Sequence, residues 1–210
     1  PVFWGRIKIM ESRISKNSIS TKKLVELGIL TALVIILQLL GLFIRFGTFS
    51  VSLVLVPVVL GGALLGAPAG AWLGLVFGGT VLLSGDAAAF LTIDPFGTVL
   101  TVLLKGALAG FGAGLVYRFA SKWNKWAALL LAALACPVLN TGVFLLGCKI
   151  FFMPTITEWA STLGYASVGK YIILGLVGGN FLFEVGFNMV LVPVLYRVIT
   201  LLTEKKQAVV

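Results

Sequence analysis

The sequence predicts an all-α membrane protein, a six-transmembrane-helix bundle with cytoplasmic N- and C-termini. Three observations predict it. Of 210 residues, 60% are hydrophobic and only 11% are charged, whereas a soluble domain carries about 25% charged residues. The apolar residues recur from Leu24 to Leu202 instead of gathering in one anchor, and the mean hydropathy is +1.12. Finally, most of the basic residues fall in three regions that an even number of spans brings to one face, with Arg45 and Lys170 on the other.

The first span is expected from about Lys23 to Ile44, with Lys22 and Lys23 at its inner end. The second, about Ser50 to Leu65, is short and contains Pro57; a glycine-rich turn, Gly61 to Pro68, follows it. The third runs from about Ala69 to Leu83. The loop from Ser84 to Pro95 leads to the fourth, about Phe96 to Phe119. A basic turn, Arg118 to Lys125, precedes the fifth, about Trp126 to Phe152. A long polar loop, Met153 to Gly169, leads to the sixth, Tyr171 to Leu202. Residues 1–21 form a basic N-terminal segment, 22–204 the transmembrane domain and 205–210 a tail.

The net charge is +9, but its distribution argues against nucleic acid as a partner. Arg6, Lys8, Arg13, Lys16, Lys22 and Lys23 precede span one. Arg118, Lys122 and Lys125 lie between spans four and five, and Arg197, Lys205 and Lys206 end the chain. The positive-inside rule places these regions in the cytoplasm. Trp123 and Trp126 read as an aromatic belt there. The first twenty residues lack the apolar core of a secretory signal. Met10 is a candidate start, and alternatively residues 2–10 lie on the membrane surface through Phe3 and Trp4. Cys136 and Cys148 have no metal-ligand spacing and read as core residues.

Polar residues inside spans need a partner or a task. Asn180, Glu184 and Asn188 follow at i, i+4 and i+8, so they form one stripe on a helix. At ~1.5 Å per residue, Lys105 lies roughly 13 Å below the outer end of span four, Asn180 about 15 Å and Glu184 about 20 Å below that of span six, and Asn140 ~20 Å above the inner end of span five. These side chains therefore share a layer. Two readings stay open: a sealed Lys105–Glu184 pair that fixes helix register, or a solute cavity open to the outside. The surplus asparagines, a break expected at Asn140-Thr141-Gly142, and the outer-loop groups Arg45, Phe46, Asp86, Asp94, Trp159 and Tyr165 favour the cavity. Trp72, Phe77, Phe144 and Tyr171 are aromatic candidates for its wall, though lipid contact or packing is the better reading of each.

The absent motifs narrow the function. No Walker A sequence is present, nor HExxH or GxSxG. The chain has no histidine, the commonest acid–base group and metal ligand. No enzymatic activity, catalytic residue, metal ligand or cofactor is expected. Small residues at four-residue spacing, Gly28 and Ala32 in span one and Gly106, Gly110 and Gly114 in span four, permit close helix approach in lipid. For span four this reads as internal packing. Gly28 and Ala32 equally suit docking of a membrane partner.

Several segments together resemble the substrate-binding S component of an energy-coupling factor (ECF) vitamin transporter, over nearly all of residues 22–204. They are the six-span chain with Gly28 and Ala32, the stretch from Ser50-Val51-Ser52-Leu53 to Gly61-Gly62-Ala63-Leu64-Leu65-Gly66-Ala67-Pro68-Ala69-Gly70, the segment Asp94-Pro95-Phe96-Gly97, and Leu104-Lys105-Gly106-Ala107-Leu108-Ala109-Gly110. The resemblance implies a prokaryotic plasma-membrane subunit that binds a vitamin from outside. It implies delivery by toppling within the bilayer, docked to a transmembrane coupling protein with two cytoplasmic ATPases. The family's AxxxA docking surface maps to Gly28 and Ala32, with glycine at the first position, and its outer gate to Arg45 through Ser50. The expected substrate-binding residues are Arg45, Asp94, Lys105, Asn140, Phe144, Asn180, Glu184 and Asn188. Lys105, Arg45 and the amides suit a small, flexible anion with hydroxyl and amide groups, and no dense aromatic stack is expected around them. The chain looks similar to pantothenate-type members; folate and a pyrimidine or thiamine precursor remain alternatives. Two other classes also remain: a stand-alone secondary transporter using Glu184 as a proton site, and a membrane scaffold.

Overall fold

A computed structural model describes residues 21–41, 45–46, 49–50 and 53–207, with backbone only at 45–46, 49–50 and 202–207. The chain forms α1 (Thr21–Gly41), a two-residue antiparallel ladder of β1 (Arg45–Phe46) and β2 (Phe49–Ser50), α2 (Leu55–Leu65), α3 (Ala67–Leu83), α4 (Ala88–Leu91), α5 (Pro95–Ala120), α6 (Lys125–Gly147), α7 (Met153–Thr162), α8 (Val168–Lys170) and α9 (Gly178–Gln207). Two π-helical segments, Cys148–Phe152 and Tyr171–Val177, join α6 to α7 and α8 to α9.

Among the described residues, four helical stretches are long and apolar enough to cross a membrane: Thr21–Gly41, Pro95–Ala120, Lys125–Thr162 and Val168–Leu201. Two shorter apolar helices, α2 and α3, complete six apolar segments. The all-α membrane architecture read from composition is what the chain adopts. Its outward faces remain apolar: Ile29, Ile36, Leu131, Ile150 and Val190 are all exposed, as lipid requires.

α1 buries one stripe, Leu30, Val34, Gln38 and Gly41, the spacing of a single helix face. The second span starts later than expected. Ser50 ends a β-strand, residues 51–52 lie outside the described residues, and helix begins only at Leu55. The resulting 11-residue helix is roughly 16 Å long, well short of the roughly 30 Å hydrocarbon layer. Gly66, with φ 99°, separates α2 from α3. That region is open to glycine and costly for other residues, and Pro68 then starts α3 in the first turn.

The closest packing is between α3 and α5. A Cβ on Gly70 would run into the Gly110 carbonyl, and one on Gly74 into the Gly106 carbonyl. A Cβ on Gly78 would come within 2.7 Å of the Val102 carbonyl oxygen. Gly62 of α2 similarly faces the Gly114 backbone at 3.1 Å. The small-residue repeat in span four thus packs inside the bundle. Gly28 and Ala32 do not: both are exposed, and nothing lies within 4 Å of a Cβ on Gly28.

Two expectations are corrected. Residues 153–169 are not one polar loop, because Met153–Thr162 is helical. Ile156 and Ala160, four apart, are buried in a cluster with Cys148, Phe152 and Tyr171. Hydroxyls that give the segment a loop-like composition bond back within the helix, Thr157 Oγ1 to the Met153 carbonyl at 2.8 Å and Thr162 Oγ1 to the Glu158 carbonyl at 2.9 Å. Nor is there a break at Asn140-Thr141-Gly142. α6 runs unbroken to Gly147, and the irregularity comes at the π segment that follows.

Candidate functional site

A cavity of about 250 Å³ opens at the end of the bundle opposite the basic 118–125 turn. Gln38 reaches it from the end of α1, Phe77 and Val81 from the end of α3, and Val102 and Lys105 from α5. Asn140, Thr141 and Phe144 face it from the last two turns of α6, with Leu176, Val177, Asn180 and Glu184 from the start of the final span. Asp86, Ala87 and Phe90, from the turn after α3 and from α4, complete the rim.

The Lys105 ammonium lies 5.2 Å from the Phe144 ring centroid and 5.7 Å from that of Phe77. Both are within cation–π range. Glu184 is buried, at 7% exposure. No N···O contact of 4.0 Å or less joins Lys105 to Glu184 among the described residues. The Asn140 Oδ1 is buried without a hydrogen-bond partner. Each such orphan polar atom is unusual in a native interior.

Lys105, Asn140, Asn180 and Glu184, which sequence depth placed in one layer, all line the cavity, and Phe144 lines it with them. The other expected residues lie elsewhere. Asp94 caps α5: its Oδ1 accepts from the Gly97 amide at 2.9 Å, and Pro95 follows at the first helical position. Asn188 is 1% exposed, one turn beyond Glu184, with neither amide atom partnered, and does not line the cavity. The Arg45 and Phe46 side chains are not described, and the basic residues of 1–20 lie outside the described residues. Replacing Asp94 with alanine is expected to lower stability by about 1 kcal/mol and to leave ligand affinity unchanged in a titration.

Sequence reasoning overlooked Gln38 and Phe90. Gln38 carried a readable signal, an amide deep in the apolar run of span one. Phe90 carried none, since it sits on a four-residue helix inside a loop. It is the centre of an aromatic group, with edge contacts to Phe144 at 5.7 Å, Phe152 at 5.0 Å and Trp159 at 5.7 Å. Phe77, Phe90 and Phe144 all face the cavity, with Phe90 and Phe144 meeting edge-on and not stacked. Trp72 is instead exposed and donates to Thr31 Oγ1 at 3.2 Å, and Tyr171 packs against Tyr165 at 5.2 Å.

An apolar bundle with spans of this length is an integral membrane protein, and the cavity near one end is its candidate solute site. The family model of the ECF transporter substrate-specific component matches residues 22–196, and the chain belongs to that family. It is a substrate-specific transporter subunit. Comparisons with curated proteins and with solved structures return no match.

Proposed function

We propose that this subunit captures pantothenate, or a closely similar hydroxylated amide carboxylate, from outside the cell for an ATP-driven importer. The observation that carries the reading is Lys105: an ammonium on the cavity wall, flanked by two rings and with no carboxylate at ion-pair distance among the described residues. A solute carboxylate docking there forms a charge-assisted hydrogen bond, roughly twice as strong as a neutral one. The unpartnered Asn140 Oδ1 accepts from a solute hydroxyl or amide. Phe77 and Phe144 receive its methyl groups. The cavity is smaller than the roughly 300–1,000 Å³ of a drug-sized site, which suits a compact, flexible molecule. A second reading, a pyrimidine-type thiamine precursor, draws support from the three phenylalanines, which offer a ring stacking surface.

In this reading the basic end is cytoplasmic and the cavity opens outward. The exposed Gly28–Ala32 face of α1 docks to the transmembrane coupling protein, whose two ATPases drive the bundle to topple and release its cargo inside. A smooth small-residue patch permits close approach of a partner helix. The test is uptake of labelled pantothenate by cells expressing the chain with and without a coupling module. Uptake is expected only with the module. Ala32→Leu is expected to retain full binding and to abolish uptake. Loss of binding in that variant would remove the docking assignment, and proton-gradient-driven uptake by the chain alone would favour a secondary transporter.

A further inference from the structure

The cavity lies between two apolar clusters. Phe77, Val81, Ala87 and Val102 on its wall belong to the large core of the bundle. Phe90, Phe144 and Leu176 pack instead against a smaller cluster formed by Cys148, Phe152, Ile156, Ala160 and Tyr171. Within that second group Phe90 has little support from its own element. It stands on the four-residue α4, in which no residue is buried, and so short a helix has little stability of its own. Its ring is held by other rings: Phe144 at 5.7 Å, Phe152 at 5.0 Å and Trp159 at 5.7 Å, each edge-on and within the range of favourable aromatic pairs. Phe144 lines the cavity beside it, whereas Trp159 does not. Trp159 reaches Phe90 from α7, where it stands with the buried Ile156 and Ala160 at the spacing of one helix face.

We infer that Trp159 is a positioning residue: through Phe90 it holds the aromatic wall against the apolar part of the solute, and so sets the preference of the site for a branched, methyl-bearing ligand. The inference rests on the solute-binding reading above and deepens it. A methyl group gains from a wall only while the two stay in contact, and a gap of about 0.5–1 Å already forfeits a quarter to a half of the dispersion attraction. A Phe90 ring without its Trp159 edge is free to open such a gap. The anionic end of the solute is taken by Lys105, whose ring contacts are with Phe77 and Phe144. Loss of Trp159 therefore acts on one end of the solute and not on the other. A tryptophan that merely pinned α7 to the bundle would weaken all ligands alike.

The experiment is titration of the purified chain in lipid nanodiscs with three probes: pantothenate, the analogue lacking its two branch methyl groups, and the alcohol in which the carboxylate is reduced. The wild-type protein is expected to prefer pantothenate over the unbranched analogue roughly tenfold, the worth of two buried methyl groups. In Trp159→Ala this preference is expected to fall to within about threefold, with the carboxylate preference retained. Trp159→Phe keeps a ring edge toward Phe90 and is expected to keep the methyl preference. Phe90→Ala is expected to lose it, and the double variant to match Phe90→Ala alone, because Trp159 acts through Phe90. Retained carboxylate preference also reports that each variant is folded. Should Trp159→Ala bind no probe, Trp159→Leu, which keeps apolar bulk without the ring edge, is read in its place with the same expectation. An unchanged methyl preference, an equal loss of both preferences, or a wild-type protein indifferent to the methyl groups overturns the inference while leaving the solute-binding reading in place. Absence of pantothenate binding by the wild-type protein overturns the reading beneath it and the inference with it.

Discussion

Replacing Gly74 with leucine is expected to destabilise the bundle by about 3 kcal/mol or more, while Gly79→Ala in the same helix leaves it intact. A side chain on Gly74 meets the Gly106 carbonyl. That obstacle is backbone, which cannot rotate aside as a flexible side chain does. α3 and α5 must separate, and the paired contacts at Gly70–Gly110 and Gly78–Val102 are lost with them. Overpacking a well-filled core costs about 1–3 kcal/mol where side chains can adjust, and here they cannot. In lipid no hydrophobic gain drives helices together, so close van der Waals packing carries the association. By contrast, nothing lies within 4 Å of a Cβ on Gly79, and alanine favours helix by about 1 kcal/mol over glycine. Thermal unfolding in detergent reads the difference: a fall of about 6–12 °C for Gly74→Leu, and no fall for Gly79→Ala. Equal melting of the two variants would mean that the α3–α5 contact does not hold the bundle.

Lys105→Met is expected to weaken binding of an anionic solute and to spare the fold. Methionine keeps an unbranched apolar stem between Phe77 and Phe144. Since no ion pair closes onto Lys105 from Glu184, loss of the charge breaks no buried bridge. Loss of a hydrogen bond to a charged group costs about 1.5–3 kcal/mol, so affinity falls roughly 10–100-fold. A sealed Lys105–Glu184 pair predicts the reverse pattern. Each single neutralisation would then leave a buried charge and destabilise strongly, by about 3–5 kcal/mol, and the double neutralisation would restore stability. Melting curves and pantothenate titrations of Lys105→Met, Glu184→Gln and the double variant separate the two.

Much of this was legible in the sequence because lipid simplifies the code. A lysine, a glutamate and two asparagines inside apolar runs are costly wherever they stand. Counting residues from the span ends placed Lys105, Asn140, Asn180 and Glu184 at one depth, and they meet at one cavity. The Gly106–Gly110–Gly114 repeat likewise announced its own packing. What stayed hidden depended on local chemistry or on tertiary contact. The 153–162 helix was masked by threonines and serines whose hydroxyls bond their own helix carbonyls. Asp94 looked like a loop acid near the site, but the following Pro95 and Gly97 make it a helix cap. Phe90 acquires its position through Phe144, Phe152 and Trp159, residues more than fifty positions away that no local pattern connects to it. Asp86 was readable as an outer-loop group, but the hydrogen bond it accepts from Gln38 spans two helices and is visible only once α1 and α3 are packed.

The most direct measurement is a thermal-shift screen of the purified chain alone against a panel of vitamins, followed by saturation binding of radiolabelled pantothenate. A ligand at 100 times its Kd stabilises the native state by about 2.7 kcal/mol through mass action. A solute-capturing subunit predicts a clear rise in melting temperature with pantothenate and saturable binding without any ATPase present. A flat panel from a protein that melts cooperatively would contradict capture of a vitamin by this chain.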